Sequence, residues 1–145
     1  MKKALLTLSL LLVAMFNFAQ EGQPVVAGSE DGPVMQIDKD IHDYGTVDYA
    51  GNGTCVFTIT NVGNAPLIIS LCKGSCGCTV PECPQQPIAP GATSEITVKY
   101  DTKRPGPFHK SVTVTSNAVN TPSKVVKIKG TVKAKPVTET IPPTN

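Results

Sequence analysis

In Cys55-Val56-Phe57-Thr58-Ile59-Thr60 every second residue is Cys, Phe or Ile, so these three share one face of any extended chain. The same period of two returns on the C-terminal side. In Ser94–Asp101, Ile96, Val98 and Tyr100 point one way while Glu95, Thr97, Lys99 and Asp101 point the other. Phe108–Ser116 puts Val112 and Val114 inward with Lys110 in phase at a rim, and Ser123–Val132 puts Val126, Ile128 and Val132 inward with Lys127 and Lys129 outward. Upstream, Val34–Asp38 and Asp43–Asp48 read as short extended pieces, the second bent at Gly45. Leu67–Leu71 reads as an apolar strand.

Turn chemistry separates these pieces. Gly51-Asn52-Gly53, Asn61–Pro66, Pro90-Gly91, Lys103–Pro107 and Asn117–Pro122 are rich in residues that accept or preset turn dihedrals. Asn52-Gly53-Thr54 also fits a glycosylation acceptor, but the turn reading is preferred. Pro81, Pro84, Pro87 and Pro90 predict an irregular connection before Ser94. About seven short strands with such turns predict an all-β, immunoglobulin-like two-sheet sandwich over residues 34–132. Its expected core is Phe57, Ile59, Leu67, Ile69, Ile96, Val98, Val112, Val114, Val126 and Ile128. Tryptophan, which pins antibody domains, is absent.

The ends read differently. Met1-Lys2-Lys3, an apolar run to Val13 and Asn17-Phe18-Ala19-Gln20 have the architecture of a signal peptide (residues 1–19) cleaved after Ala19. The apolar run is too short and wrongly flanked for a membrane span, and no cysteine near the cleavage point suggests a lipoprotein. Residues 20–33 read as a flexible linker and residues 133–145 as a disordered Pro/Thr-rich tail. The expected destination is the periplasm or the cell exterior, where disulfides persist. Of the formal charge of +2, Lys2 and Lys3 account for all, so the mature chain is formally neutral. Nucleic-acid binding gains no support from that balance.

Four of the five cysteines, Cys72, Cys76, Cys78 and Cys83, fall around Ser75-Cys76-Gly77-Cys78-Thr79. A disulfide knot, a thiolate metal site and a redox pair all fit such a cluster, and spacing does not choose. For zinc, Cys72 and Cys76 are well spaced but Cys76 and Cys78 are tight for one tetrahedral ion; Cu(I) would also accept these soft ligands. A redox pair lacks a helix N-terminus to activate a thiol, and Lys73 is the one nearby cation. Cys55 reads as a small buried apolar residue. His42 and His109 read as ordinary surface or edge residues. No nucleophile motif, phosphate loop or singled-out carboxylate pair appears.

Five ordered motifs carry a resemblance: Asp43-Tyr44-Gly45-Thr46-Val47, Thr60–Ile69, Ser75–Pro81, Pro87-Ile88-Ala89-Pro90-Gly91 and Gly106–Lys110. Together they resemble the DUF1573 family of exported bacterial proteins, common in the Bacteroidetes. More distantly, Asn61-x-Gly63-x-x-Pro66-Leu67 and the Pro90-Gly91 turn are similar to the ASH/MSP/Hydin group of immunoglobulin-like domains. The resemblance implies a non-enzymatic interaction or structural module of the cell envelope, with an unknown protein or envelope partner and no cofactor. The competing class is a thiol-based metal-binding or redox protein. Cys76 and Cys78 match the family motif, whereas Cys72 and Cys83 depart from it together. That joint departure predicts a Cys72–Cys83 disulfide, leaving Cys76 and Cys78 as a free thiol or metal loop. Cys72–Cys78 with Cys76–Cys83 ranks next, and a Cys76–Cys78 bond, closing over one residue, ranks last among the three complete pairings.

Overall fold

The computed structural model of the chain describes residues 31–137. Eight strands follow in order: β1 (Met35–Ile37), β2 (Ile41–Val47), β3 (Thr54–Asn61), β4 (Ile69–Gly74), β5 (Thr79–Glu82), β6 (Thr93–Tyr100), β7 (Gly106–Ser116) and β8 (Ser123–Val132). They form two four-stranded sheets, ordered β1-β3-β6-β5 and β2-β8-β7-β4. All pairs are antiparallel except β2 with β8, which run parallel. The expected signal peptide, most of the linker and the end of the tail lie outside the described residues.

The faces follow the alternation. In the first sheet Phe57 sits opposite Ile96 and Cys55 opposite Val98. In the second, Val112 sits opposite Val126. Nine of the ten expected core residues are buried, and Ile69 is the exception, packed at the margin. Directly after it, a register shift falls between Ile69 and Leu71. An extra residue in one strand reverses which face its side chains occupy, so the phase that Leu67 and Ile69 share is lost at Leu71. Leu71 is turned out and Cys72 is turned in.

One more strand forms than the prolines suggested. Thr79–Glu82 pairs with β6 although Pro81 lies within it. β5 is an edge strand, and the Asp101 N–H donates to the Cys78 carbonyl at 2.9 Å, which sets the phase of pairing. Three residues on from Cys78, an odd number of steps, Pro81 takes a position whose nitrogen points away from β6, where the missing donor costs no ladder bond.

Two features do the work that a tryptophan pin does elsewhere. Phe108 of β7 stacks on Tyr100 of β6 with ring centroids 3.9 Å apart and planes 16° from parallel, joining the sheets. Asn61, 0% exposed, donates from Nδ2 to the carbonyls of Ala65 (2.8 Å) and Ile88 (2.9 Å). Its Oδ1 accepts from the N–H groups of Gly63 (3.1 Å) and Val34 (3.4 Å). A buried amide so used satisfies backbone groups of three segments at once. Gly63 completes the motif, because a Cβ there would collide with the backbone of Gly32 and Val34.

Candidate functional site

The cysteine cluster lies where an edge of one sheet meets an edge of the other. Cys72 sits in β4, opposite Val114 of β7, rather than in the loop, and the register shift that turns it inward, to a half-buried place, also aims it toward β5. Cys83 follows β5 directly. β4 and β5 approach closely at Gly74, where a Cβ would collide with the Thr79 carbonyl oxygen. The Cys72 and Cys83 sulfurs are set against each other, with Cα atoms 6.2 Å apart, inside the range that a disulfide spans.

The intervening turn is anchored from both sheets. The Ser75 N–H donates to the Ser111 carbonyl at 2.8 Å on β7, and the Asp101 N–H donates to the Cys78 carbonyl at the end of β6. The Thr79 N–H donates to the Cys76 carbonyl at 3.1 Å, closing a four-residue turn over Cys76–Thr79. This turn brings the Cα atoms of Cys76 and Cys78 to 5.2 Å and sets their sulfurs against each other. The pairing ranked last by spacing is thus the one that the turn arranges. A one-residue loop is strained in isolation, whereas this turn is held folded by hydrogen bonds to both sheets.

Thr79 was missed in the sequence. It is 2% exposed, and its Oγ1 lies 3.7 Å from Cys76 Sγ and 3.9 Å from Cys78 Sγ. The available signal was the β-branched pair Thr79-Val80 after the turn, which suits a strand with Thr79 facing inward. Beside the turn runs an open groove of about 810 Å³ lined in part by Asn52, Gly53, Gly77, Cys78, Val80 and Tyr100.

The remaining candidates do not join this cluster. Cys55 is 5% exposed in the core, and burial pushes its thiol up against a smaller lowering by the Tyr44 hydroxyl. Burial, with the Cys55 thiol alongside, also holds Tyr44 far above the usual phenol range; its hydroxyl donates to the Gly53 carbonyl at 2.8 Å. His42 packs edge-on to Tyr44 with centroids 4.6 Å apart, and burial lowers its imidazole pKa, helped by Lys39. His109 is exposed on β7. Among the described residues no group of three or more His, Cys, Asp or Glu side chains converges as metal ligands would. No helix among them is long and apolar enough to cross a membrane.

The comparisons speak mainly to fold. A comparison with curated proteins finds no match. Among solved structures, the chain is similar to a protein of unknown function from Porphyromonas gingivalis W83, at 17% identity and a TM-score of 0.63. That match covers 72% of this chain and 49% of the other, so the chain spans about half that relative's length. It is similar to the ASH/PapD-like domain 7 of human CEP192 at 9% identity and a TM-score of 0.54, covering 70% of this chain and 87% of that one. The VesB protease of Vibrio cholerae is similar at 14% identity and a TM-score of 0.54, covering 69% of this chain and 32% of the protease. At such identities the likeness is one of architecture, not of activity. A family match is more specific: it runs over residues 35–132, from the first residue of β1 to the last of β8. The chain therefore belongs to DUF1573, a family described as protein of unknown function.

Proposed function

We propose that the chain is an exported interaction module that docks a protein partner of the cell envelope on the outer face of the β2-β8-β7-β4 sheet. The observation that carries this reading is a diagonal of apolar side chains on that face. Leu71, Val125 and Ile41 are 54%, 46% and 46% exposed. Leu71 lies opposite Thr115, Val125 opposite Thr113 and Ile41 beside Lys127, so the diagonal runs from one sheet edge to the other. Lys73 and Lys127 stand exposed beside it without an ion pair among the described residues. A partner presenting apolar and acidic groups fits this face.

Strand addition is less favoured. β1 has three residues, β5 carries Pro81, and β2 and β4 contain register breaks. Each of these blunts an edge against a new strand. The leader-like N-terminus and the paired sulfurs support export into an oxidising compartment.

The test is site-specific photo-crosslinking in the native envelope. A crosslinker at Val125 yields a discrete adduct that Leu71→Asp abolishes without changing the melting temperature, while one at Glu95, on the other sheet, yields none. Equal adducts at both positions, or none at Val125, would sink the proposal.

A further inference from the structure

We infer that Cys76 and Cys78 form a thiol–disulfide exchange site for an exported dithiol, distinct in role from the Cys72–Cys83 pair. Three observations converge on it. The first is what each pair constrains. Cys72 and Cys83 are 11 residues apart and tie β4 of one sheet to the end of β5 in the other. Cys76 and Cys78 are 2 residues apart within one turn that backbone hydrogen bonds already hold. A bridge that restrains little of the unfolded chain contributes little to stability, so opening it disturbs little of the fold.

The second observation is access. Cys76 is half-buried and Gly77 is exposed, with nothing within 4 Å of where a Cβ on Gly77 would lie. Cys78, by contrast, is 7% exposed. The turn borders the open groove at Gly77 and Cys78, which leaves room for a peptide beside the turn. Cys76, the more exposed sulfur, is the one attacked, and Cys78 is the leaving sulfur.

The third is the Thr79 hydroxyl, buried at the base of the turn. Among the described residues it meets no hydrogen-bond partner except the two sulfurs. A hydroxyl so placed donates to a thiolate as it forms, and a hydrogen bond to a charged acceptor is the stronger kind.

The exchange balances without a further oxidant. A substrate thiolate attacks Cys76 Sγ and forms a mixed disulfide. The Cys76–Cys78 bond breaks, and its electron pair goes to Cys78 Sγ, which accepts the Thr79 hydrogen bond and then a proton from water. The second substrate thiolate attacks the mixed disulfide, closes the substrate's own disulfide and leaves Cys76 as the second thiol. The dithiol is oxidised and the protein pair is reduced by two electrons.

The test uses the full chain after equilibration with oxidised glutathione. Limiting dithiothreitol is added, the reaction is quenched with an alkylating agent, and labelled peptides are followed in time by mass spectrometry. Cys76 and Cys78 are expected to label about tenfold or more faster than Cys72 and Cys83. Thr79→Val slows that opening about tenfold, and Thr79→Ser restores it. Equal or faster opening of Cys72–Cys83, or alkylation of Cys76 before reductant is added, overturns the inference. So does an unchanged rate in folded Thr79→Val. The selectivity between pairs is read on the unaltered chain, so it decides even where Thr79→Val fails to fold. Partner docking on the outer sheet face is untouched by either result.

Discussion

Tyr100 and Phe108 stack face to face across the sandwich, 3.9 Å between ring centroids, each on a different sheet. Tyr44 leans on the same Phe108 ring at 5.7 Å. Phe108 is thus the aromatic centre of one end of the core. Phe108→Ala removes a buried ring whose neighbours on two sheets cannot close over the gap, at a cost of about 3–5 kcal/mol. Urea unfolding at neutral pH measures it; a loss below about 1 kcal/mol would show that the stack is not part of the stable core.

Asn61 is expected to be nearly as sensitive, although it is polar and lies at a strand end. Its four hydrogen bonds reach Ala65, Ile88, Gly63 and Val34. Asn61→Ala leaves those backbone groups unpaired in the interior and destabilises by at least about 2 kcal/mol. Asn61→Leu, which restores apolar volume but no hydrogen bonds, does not recover it. Recovery by leucine would mean that packing, not the hydrogen bonds, sets the effect.

The Cys72–Cys83 pair is expected to be a structural disulfide across the two sheet edges. Peptide mapping of the exported protein without reductant finds the two residues joined. Replacing both by alanine lowers stability by at most about 3 kcal/mol on the chain-entropy estimate. Free alkylation of Cys72 before reduction would count against the bond.

A pH dependence follows from Asp43. Its Oδ1 accepts the Gly45 N–H at 2.8 Å, and Oδ2 meets Lys129 at 3.1 Å. The Gly45 N–H first, then Lys129, hold the carboxyl below its ordinary value of 3.8. Because the folded state binds the proton less readily than the unfolded chain, the contribution is full above pH 3.8 and fades as pH falls through the lower, folded pKa. Denaturation midpoints of wild type and Asp43→Asn should differ most at neutral pH and converge in acid. A gap that widens on acidification would reverse the sign of this argument.

Which side chains face inward could be read in advance wherever a strand kept its phase. Cys55, Phe57 and Ile59 in β3, Ile96 and Val98 in β6, and Val126 and Ile128 in β8 are buried as the alternation requires. The period of two is a property of the local backbone, so a linear pattern suffices to find it. That reading breaks off just after Ile69, because a register shift depends on how β4 meets β7 and not on β4 alone. It failed at Thr79–Glu82, where Pro81 is tolerated only because β5 took an edge.

The cysteine cluster divides the same way. Its location, and the inward place of Cys55, follow from residue types and spacing along the chain. Which sulfurs meet does not. Cys72 faces Cys83 because a shift in β4 turned it inward beside a strand of the other sheet. Cys76 faces Cys78 because hydrogen bonds from Thr79, Ser75 and Asp101 fold and anchor the turn. Thr79 reaches both sulfurs for the same reason. Alternation and turn composition are local, and one strand reports them. Sulfur pairing and a buried hydroxyl's partners depend on segments that come together only when the two sheets close.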